Sequence, residues 1–389
     1  MLKHGLVLIF VALATANARE FATPNEEARF LAGLALPNDS PLAAYTNDSA
    51  WQQHANELDR AWAQAESRSL SKARAWSATF VKSSGSAAPC YYMFSGPDIL
   101  YARMIYPNAT TYVLCGIEPV GSFPDLAKIP RENMGPALAG LRRSLSNVLR
   151  YSYFITKDMR ADFSASQLSG TVPVLYALLA RSGCTIDSAE PVSINGSGVL
   201  GGGGVRGVRI TFHEGSGSQT LFYFDADLSN GGSGTAVMNF CRRQGSSGHA
   251  LLKAASYLLH EGNFSKCRDF LLSNCRVIVQ DDSGIPHRFY DSGRWQIRYF
   301  GQYVGTTGGP FAKYYQSDLA EAYQRVNPVE LDFQISYQWK TKIANLQVAV
   351  ATAGAPPEQP EVSTSRVAAR RGKRAMARPA GSETKARYT

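Results

Sequence analysis

Residues 90–117, CYYMFSGPDILYARMIYPNATTYVLCGI, decide the fold class. The apolar stretches 90–94 and 111–117 have the length and composition of buried β-strands. Between them, the SGPD turn at 95–98 leads into a short apolar helix at 99–105, and a Pro-Asn pair ends that helix. The order strand, helix, strand predicts two parallel strands joined by a crossover, and therefore an α/β protein.

The rest of the chain alternates between predicted helices and strands. Apolar residues recur at helical spacing over residues 49–80, which predicts a long amphipathic helix packed on the core. Residues 205–225 alternate around a GSGS turn and predict an antiparallel hairpin. We therefore expect a mixed sheet with a parallel strand-helix-strand unit (90–117), this hairpin and surrounding helices. Further helices are predicted at 137–153, 172–181, 249–260, 264–273 and 316–326, and further strands at 275–280 and 331–339.

The chain begins with the features of an export signal. Lys3 precedes a nearly unbroken apolar run at residues 6–13, and residues 16–18 (ANA) supply the small side chains that a signal peptidase requires. We predict a signal peptide at 1–18 and a mature protein that begins at Arg19 in the periplasm or outside the cell. An uncleaved membrane anchor is the alternative. The apolar run is too short to span a bilayer, and no transmembrane segment is expected after cleavage.

Most of the positive charge lies at the end of the chain. The formal net charge is +9, and residues 364–389 contain eight Lys or Arg against one Glu. Residues 353–389 combine a Pro-rich linker with few apolar and many charged residues, a composition typical of disorder. The expected organisation is therefore a single globular α/β body at 19–352 followed by a disordered basic tail. The tail could bind an anionic surface, although a solvated tail without a specific partner is the simpler interpretation. No specific nucleic-acid motif is present.

Cysteine usage leaves two interpretations open. In an oxidising compartment an even number of cysteines permits disulfides, and free buried thiols explain the same residues. No CxxC spacing occurs, and no His lies at ligand spacing beside a Cys, so a zinc site is not expected. The six cysteines are Cys90, Cys115, Cys184, Cys241, Cys267 and Cys275.

Several polar residues lie where the predicted strands end. The turns that contain Asp98 and Glu118 emerge, in parallel geometry, on the carboxyl edge of the sheet, where open α/β sheets bind their ligands. The acidic pair at 281–282 follows the apolar strand at 275–280, which predicts that it reaches the same edge. The candidate ligand cleft consists of Ser95, Asp98, Glu118, Asp281, Asp282 and His287.

Two classes of function fit these residues. Adjacent carboxylates can hold a hard cation, or divide general acid and base roles in a hydrolase. Each acid is also explained as a helix cap or a turn former. Ser95 lies at a strand-to-helix turn, but Met93 occupies the place of the first glycine in a nucleophile elbow. A binding or structural protein is the leading hypothesis. A hydrolase with a carboxylate-lined cleft, with or without an assisting metal, is the alternative; no cofactor or small-molecule ligand is assigned.

Five segments together suggest a relationship to a known group of proteins. They are YMFSGPDILYA, TYVLCGIEPVG, SYLLHEGNFSKCRDFLL, QDDSGIPHRFY and WQIRYFGQY, and they fall between Cys90 and Tyr323. The chain resembles a family of bacterial exported proteins of unknown function that carries such blocks. The resemblance implies a bacterial, extracytoplasmic setting, and it implies no activity, cofactor or catalytic residue.

Overall fold

The computed structural model describes residues 21–81, 87–155, 159, 168–245, 247–305, 311–337 and 343–352. Within these residues the strands form one nine-stranded mixed sheet in the order β3-β4-β5-β2-β1-β6-β7-β9-β8. The predicted fold class is therefore confirmed. The strands are β1 (Cys90–Tyr92), β2 (Thr111–Gly116), β3 (Thr185–Ile194), β4 (Val205–Glu214), β5 (Gly217–Asp225), β6 (Gly248–Leu252), β7 (Cys275–Gln280), β8 (Trp295–Gly301) and β9 (Asn345–Ala351).

Nine α-helices belong to the described part of the chain. The predicted long helix at 49–80 is α2 and α3, which one π-helical turn at Glu66–Leu70 joins without a break. The helices are α1 (Pro24–Leu31), α2 (Ser49–Ala65), α3 (Ser71–Phe80), α4 (Ile99–Ile105), α5 (Arg131–Tyr151), α6 (Val172–Arg181), α7 (Gly234–Gln244), α8 (Ser265–Asn274) and α9 (Ser317–Arg325).

The five central strands, in the order β5-β2-β1-β6-β7, run parallel to one another, and antiparallel strands extend the sheet on both sides. From β1 the chain crosses through α4 to β2 on one side, whereas from β6 it crosses through α8 to β7 on the other side. The direction of winding therefore reverses between β1 and β6. In open α/β sheets such a switch point opens a crevice outside the carboxyl ends of the strands, and ligands bind there.

Successive residues of the central strands supply two separate cores. In β1, Cys90 and Tyr92 pack into the core that contains the buried residues of α2, α5 and α6. Tyr91 and Met93 pack into the other core, with residues of α7 and α8. This alternation is the period of a β-strand, and it means that the parallel strands are covered on both faces. The site therefore has to lie at an edge of the sheet.

Two of the predicted elements are wrong. Residues 249–260 were expected to form a helix; the structure has β6 there, followed by a short 3-10 turn at Leu258–His260. β6 is central and buried on both faces, so it lacks the alternation that identifies a strand. The described part of the predicted strand at 331–339 contains no strand, and residues 338–339 lie outside the described residues. The edge strand β3 was not predicted, and neither was β9, which lies between β7 and β8.

The structure also shows the state of the cysteines and the length and composition of the helices. All six cysteines are buried and free, which agrees with the interpretation of them as buried thiols. No described helix combines the length and the apolar composition that crossing a membrane would require.

Candidate functional site

A cavity of about 470 Å³ opens at the carboxyl edge of the sheet, at the switch point. Residues after β1, β2, β5 and β6 line it, and most of its lining side chains are apolar or aromatic. The volume falls within the range of small-molecule sites. Its apolar lining residues include Phe94, Ile117, Phe154, Leu228, Leu258 and Phe264.

A buried ion pair joins the two sides of the switch point at the wall of this cavity. Lys253, directly after β6, places its Nζ 2.7 Å from Oδ2 of Asp98, which follows β1, and each side chain is 1% exposed. Asp98 also caps α4, because its Oδ1 accepts a hydrogen bond from the Tyr101 amide, and its Oδ2 accepts one from the Tyr92 hydroxyl. Lys253 Nζ donates to the Ser152 carbonyl as well and lies 4.2 Å from the Tyr101 ring centroid. The pair is fully engaged and fixes the two loops to each other.

The segment after β6, residues 253–257, has an unusual backbone. Ala254, Ser256 and Tyr257 have φ angles of 49°, 53° and 58°. Side chains with a Cβ rarely adopt this left-handed conformation, and such residues cluster at ligand-binding and active sites because the surrounding structure has to enforce them. We refer to residues 253–257 as the strained loop.

Three side chains from other parts of the chain hold the strained loop. Asp281 Oδ2 accepts from the Ala254 amide at 2.8 Å, and Ser283 Oγ accepts from the Ala255 amide at 2.8 Å. Tyr337 accepts from the Ser256 amide at 3.2 Å and donates to the Ala254 carbonyl at 2.7 Å through the same hydroxyl. Three successive amides therefore have side-chain acceptors, and this explains how the loop keeps its conformation.

Glu118 and Ser95 lie on the β1 and β2 side of the cavity. The Glu118 carboxylate lies over the backbone of Gly116, where a Cβ would come within 2.3 Å of its Oε2. The Tyr223 hydroxyl donates to the Glu118 carbonyl at 2.8 Å. Ser95 Oγ donates to the Gly96 carbonyl and accepts from the Cys115 amide, so it links the first turn to β2.

Asp282 is buried next to the cavity rather than in its wall. It accepts hydrogen bonds from the Tyr257 hydroxyl at 2.8 Å and the Asn345 side chain at 2.9 Å. Burial, together with the charge of the neighbouring Asp281, raises the pKa of Asp282 to about 6. Its contacts anchor the last residue of the strained loop.

His287 lies apart from the cavity. Its Nε2 is 2.8 Å from the Tyr299 hydroxyl, and its Nδ1 is 3.3 Å from Asp318 of α9. None of the five histidines in the described part of the chain lines the cavity. A Ser-His-Asp arrangement therefore has no support from its described lining.

The structure brings together three of the six candidate residues. Ser95, Asp98 and Glu118 line the cavity, whereas Asp281 and Asp282 support the strained loop from behind, and His287 is elsewhere. Sequence reasoning missed Lys253, because it assigned this residue to a helix. The charged residue inside the apolar stretch GHALLKAASYLL was the available signal, since a buried lysine requires a partner.

The Tyr92 hydroxyl at this wall is a hydrogen-bond donor. Burial, with the nearby Asp98 carboxylate, keeps the pKa of the Tyr92 hydroxyl well above its ordinary value, so Tyr92 stays protonated at neutral pH. Within the described residues, no group of three or more His, Cys, Asp or Glu side chains is placed to hold a metal ion.

Comparisons of the chain with protein family models, with curated proteins and with solved structures find no match.

Proposed function

We propose that this chain is a binding protein that takes a largely apolar small molecule into the switch-point cavity. The observation that carries the proposal is the coincidence of three features at one place: the reversal of winding between β1 and β6, a cavity with mostly apolar lining, and a strained loop at its wall. The ligand class follows from the lining. An apolar or aromatic body would pack against Phe94, Leu228 and Phe264, with a polar end near Glu118 or Ser256.

The contacts of the acidic residues favour binding over hydrolysis. Asp98 is used as a helix cap and an ion-pair partner, and Asp281 accepts three hydrogen bonds from Ala254 and Ser283. A general acid or base has to reach the substrate, and a pre-formed binding wall needs side chains that are already held. The hydrolase alternative therefore has less support than the binding hypothesis.

The experiment uses 8-anilinonaphthalene-1-sulfonate as an aromatic probe. Ile117 lines the cavity and is 48% exposed, so Ile117→Trp should obstruct the entrance without disturbing the core. The matched control is Val199→Trp, because Val199 is 42% exposed and is not among the described lining residues. We expect saturable probe fluorescence with the wild type and the control, and a loss of affinity on the order of tenfold with Ile117→Trp. Equal probe affinity in all three proteins would refute the cavity as the binding site.

Export and the role of the tail are proposed from the sequence. The apolar run at 6–13 and the ANA segment support cleavage after Ala18, in keeping with the resemblance to bacterial exported proteins. N-terminal sequencing of protein from the cell envelope should give a chain that begins at Arg19, and a start at Met1 would end the export proposal. Deletion of residues 364–389 should reduce retention on anionic vesicles at low salt without changing the melting temperature.

A further inference from the structure

A second cavity, of about 620 Å³, contains three arginines from three different helices. Arg74 comes from α3, Arg103 from α4 and Arg181 from the end of α6. Trp62, Leu100 and Met104 form part of its apolar lining, and no residue lines both this cavity and the one at the switch point. We call it the arginine cavity.

Two of these arginines are almost fully buried and are not fully hydrogen-bonded. The side chains of Arg103 and Arg181 are 8% and 7% exposed. Nε of Arg103 and Nη2 of Arg181 are buried and have no hydrogen-bond acceptor among the described residues. A buried guanidinium N–H without an acceptor is costly, and in native proteins it calls for a specific explanation.

The carboxylates that pair with these arginines are held loosely. Arg103 contacts Glu214 through Nη2 alone, at 2.6 Å, and Arg181 contacts Asp59 through Nη1 alone. Glu214 and Asp59 are each 60% exposed, so either carboxylate can turn into water at little cost. The guanidinium groups, in contrast, are fixed by burial.

This combination of fixed donors and displaceable acceptors suits an exchange of anions. We infer that the arginine cavity binds a phosphate group, which displaces Glu214 from Arg103. Arg103 Nε lacks an acceptor and its Nη2 contacts the displaceable Glu214, so two oxygens of one tetrahedral anion can accept from the same guanidinium fork, whose geometry matches phosphate. The apolar lining around Trp62 would accommodate the organic part of a phosphate ester.

The test is a calorimetric titration of the protein with inorganic phosphate. The ionic strength is kept constant by replacing phosphate with chloride. We expect saturable binding to the wild type and a loss of affinity on the order of tenfold with Arg103→Gln. Glu214→Gln should instead raise the affinity, because it removes the competing carboxylate and keeps the arginine. Arg325→Gln is the control, since Arg325 is an exposed arginine of α9 paired with Glu321.

The opposite signs expected for Arg103→Gln and Glu214→Gln separate binding from a folding defect, which could only weaken binding in both. The inference is overturned if phosphate does not bind saturably, if Arg103→Gln binds like the wild type, or if Glu214→Gln lowers the affinity. Phenyl phosphate distinguishes the source of the phosphate group. Tighter binding than inorganic phosphate supports a phosphate ester as the ligand, and equal affinity supports free phosphate.

Discussion

The neighbouring strands β1 and β6, each with the loop that follows it, form the two sides of the switch point by different means. After β1, one residue with a side chain, Phe94, adopts a left-handed φ of 61°, and the turn at 95–98 that follows it contains a glycine at a φ of 54° and a capping aspartate, so the turn's own residues specify its shape. After β6, three residues with side chains adopt left-handed φ angles. The amides of Ala254, Ala255 and Ser256 in this loop are held by Asp281, Ser283 and Tyr337, each at least 27 residues away along the chain from the amide that it holds.

The difference shows which contacts fix the conformation of each loop at the cavity. A locally encoded turn keeps its conformation when a distant residue changes, because its own sequence favours it. A strained loop relaxes when its supporting contacts are lost, since its conformation costs free energy on the order of 1 to 3 kcal/mol for each such residue. We therefore expect mutations behind the strained loop to affect ligand binding more than mutations in the first turn.

The largest loss of stability is expected at the Asp98–Lys253 ion pair, where the two sides of the switch point meet. Asp98→Asn should cost about 3 to 5 kcal/mol of unfolding free energy, because it leaves the Lys253 charge buried without its partner. Unfolding in urea measures this cost. The double variant Asp98→Asn/Lys253→Met should recover a large part of it, since no buried charge remains. Equal instability of the single and double variants would show that the two side chains are not coupled.

A smaller loss of stability is expected at Asp281, which supports the strained loop. Asp281→Asn should cost about 1 to 3 kcal/mol, because an amide nitrogen would replace one of the carboxylate oxygens that accept from Ala254 or Ser283. It should also weaken binding of the fluorescent probe. Asp291→Asn is the control, since Asp291 accepts from the Gly293 amide in an exposed turn.

The same variant tests the metal-site alternative. Thermal melts with and without Ca²⁺ or Mg²⁺ should show no cation-dependent change in either protein if Asp281 supports the loop. A rise in the melting temperature of the wild type with Ca²⁺ that Asp281→Asn abolishes would instead identify a metal site, and would contradict the supporting role.

The same contrast explains how far the sequence predicts the molecule. The unit at 90–117 and the hairpin at 205–225 were predicted correctly, because each carries apolar strands and its own turn residues. The sheet edge that holds Asp98 and Glu118 followed from that order. β6 and its loop could not be predicted, since a strand buried on both faces lacks a period of two and the loop depends on residues distant in sequence. Lys253 follows β6 directly, so it was missed for the same reason.

β6 contains a buried histidine, His249, and β1 contains none, so β6 contributes a dependence of stability on pH that β1 does not. The His249 ring stacks on Tyr106 at 5.0 Å, and neither ring nitrogen has a partner in the described part of the chain. Burial lowers the pKa of His249 to about 4, so its neutral form favours the folded state. The stability that this provides is complete above the ordinary pKa near 6.5 and is lost as the pH falls towards 4.

Substitution by phenylalanine should therefore help more in acid. Relative to the wild type, His249→Phe should gain about 2 kcal/mol of unfolding free energy between pH 7.5 and pH 5. Urea unfolding at the two pH values measures the difference, in which any change in packing cancels. His54 and His260, whose pKa values burial also lowers to about 4, remain in both proteins. A gain that is the same at both pH values would show that His249 does not titrate with unfolding.

The smallest effect on stability is expected from Ser95→Ala, in the turn after β1. Ser283→Ala removes the same hydroxyl from a residue that supports the strained loop, so the two variants form a matched pair. Ser95 Oγ bonds to the Gly96 carbonyl and the Cys115 amide, but the turn keeps its glycine and its capping aspartate, and water in the cavity can replace the hydroxyl. We expect a cost of up to about 1 kcal/mol and unchanged affinity for the fluorescent probe. Ser283→Ala leaves the buried Ala255 amide without its acceptor, so the strained loop should relax and probe affinity should fall. Equal loss of affinity in the two variants, measured by fluorescence titration, would show that both loops depend on their supporting hydrogen bonds to the same degree.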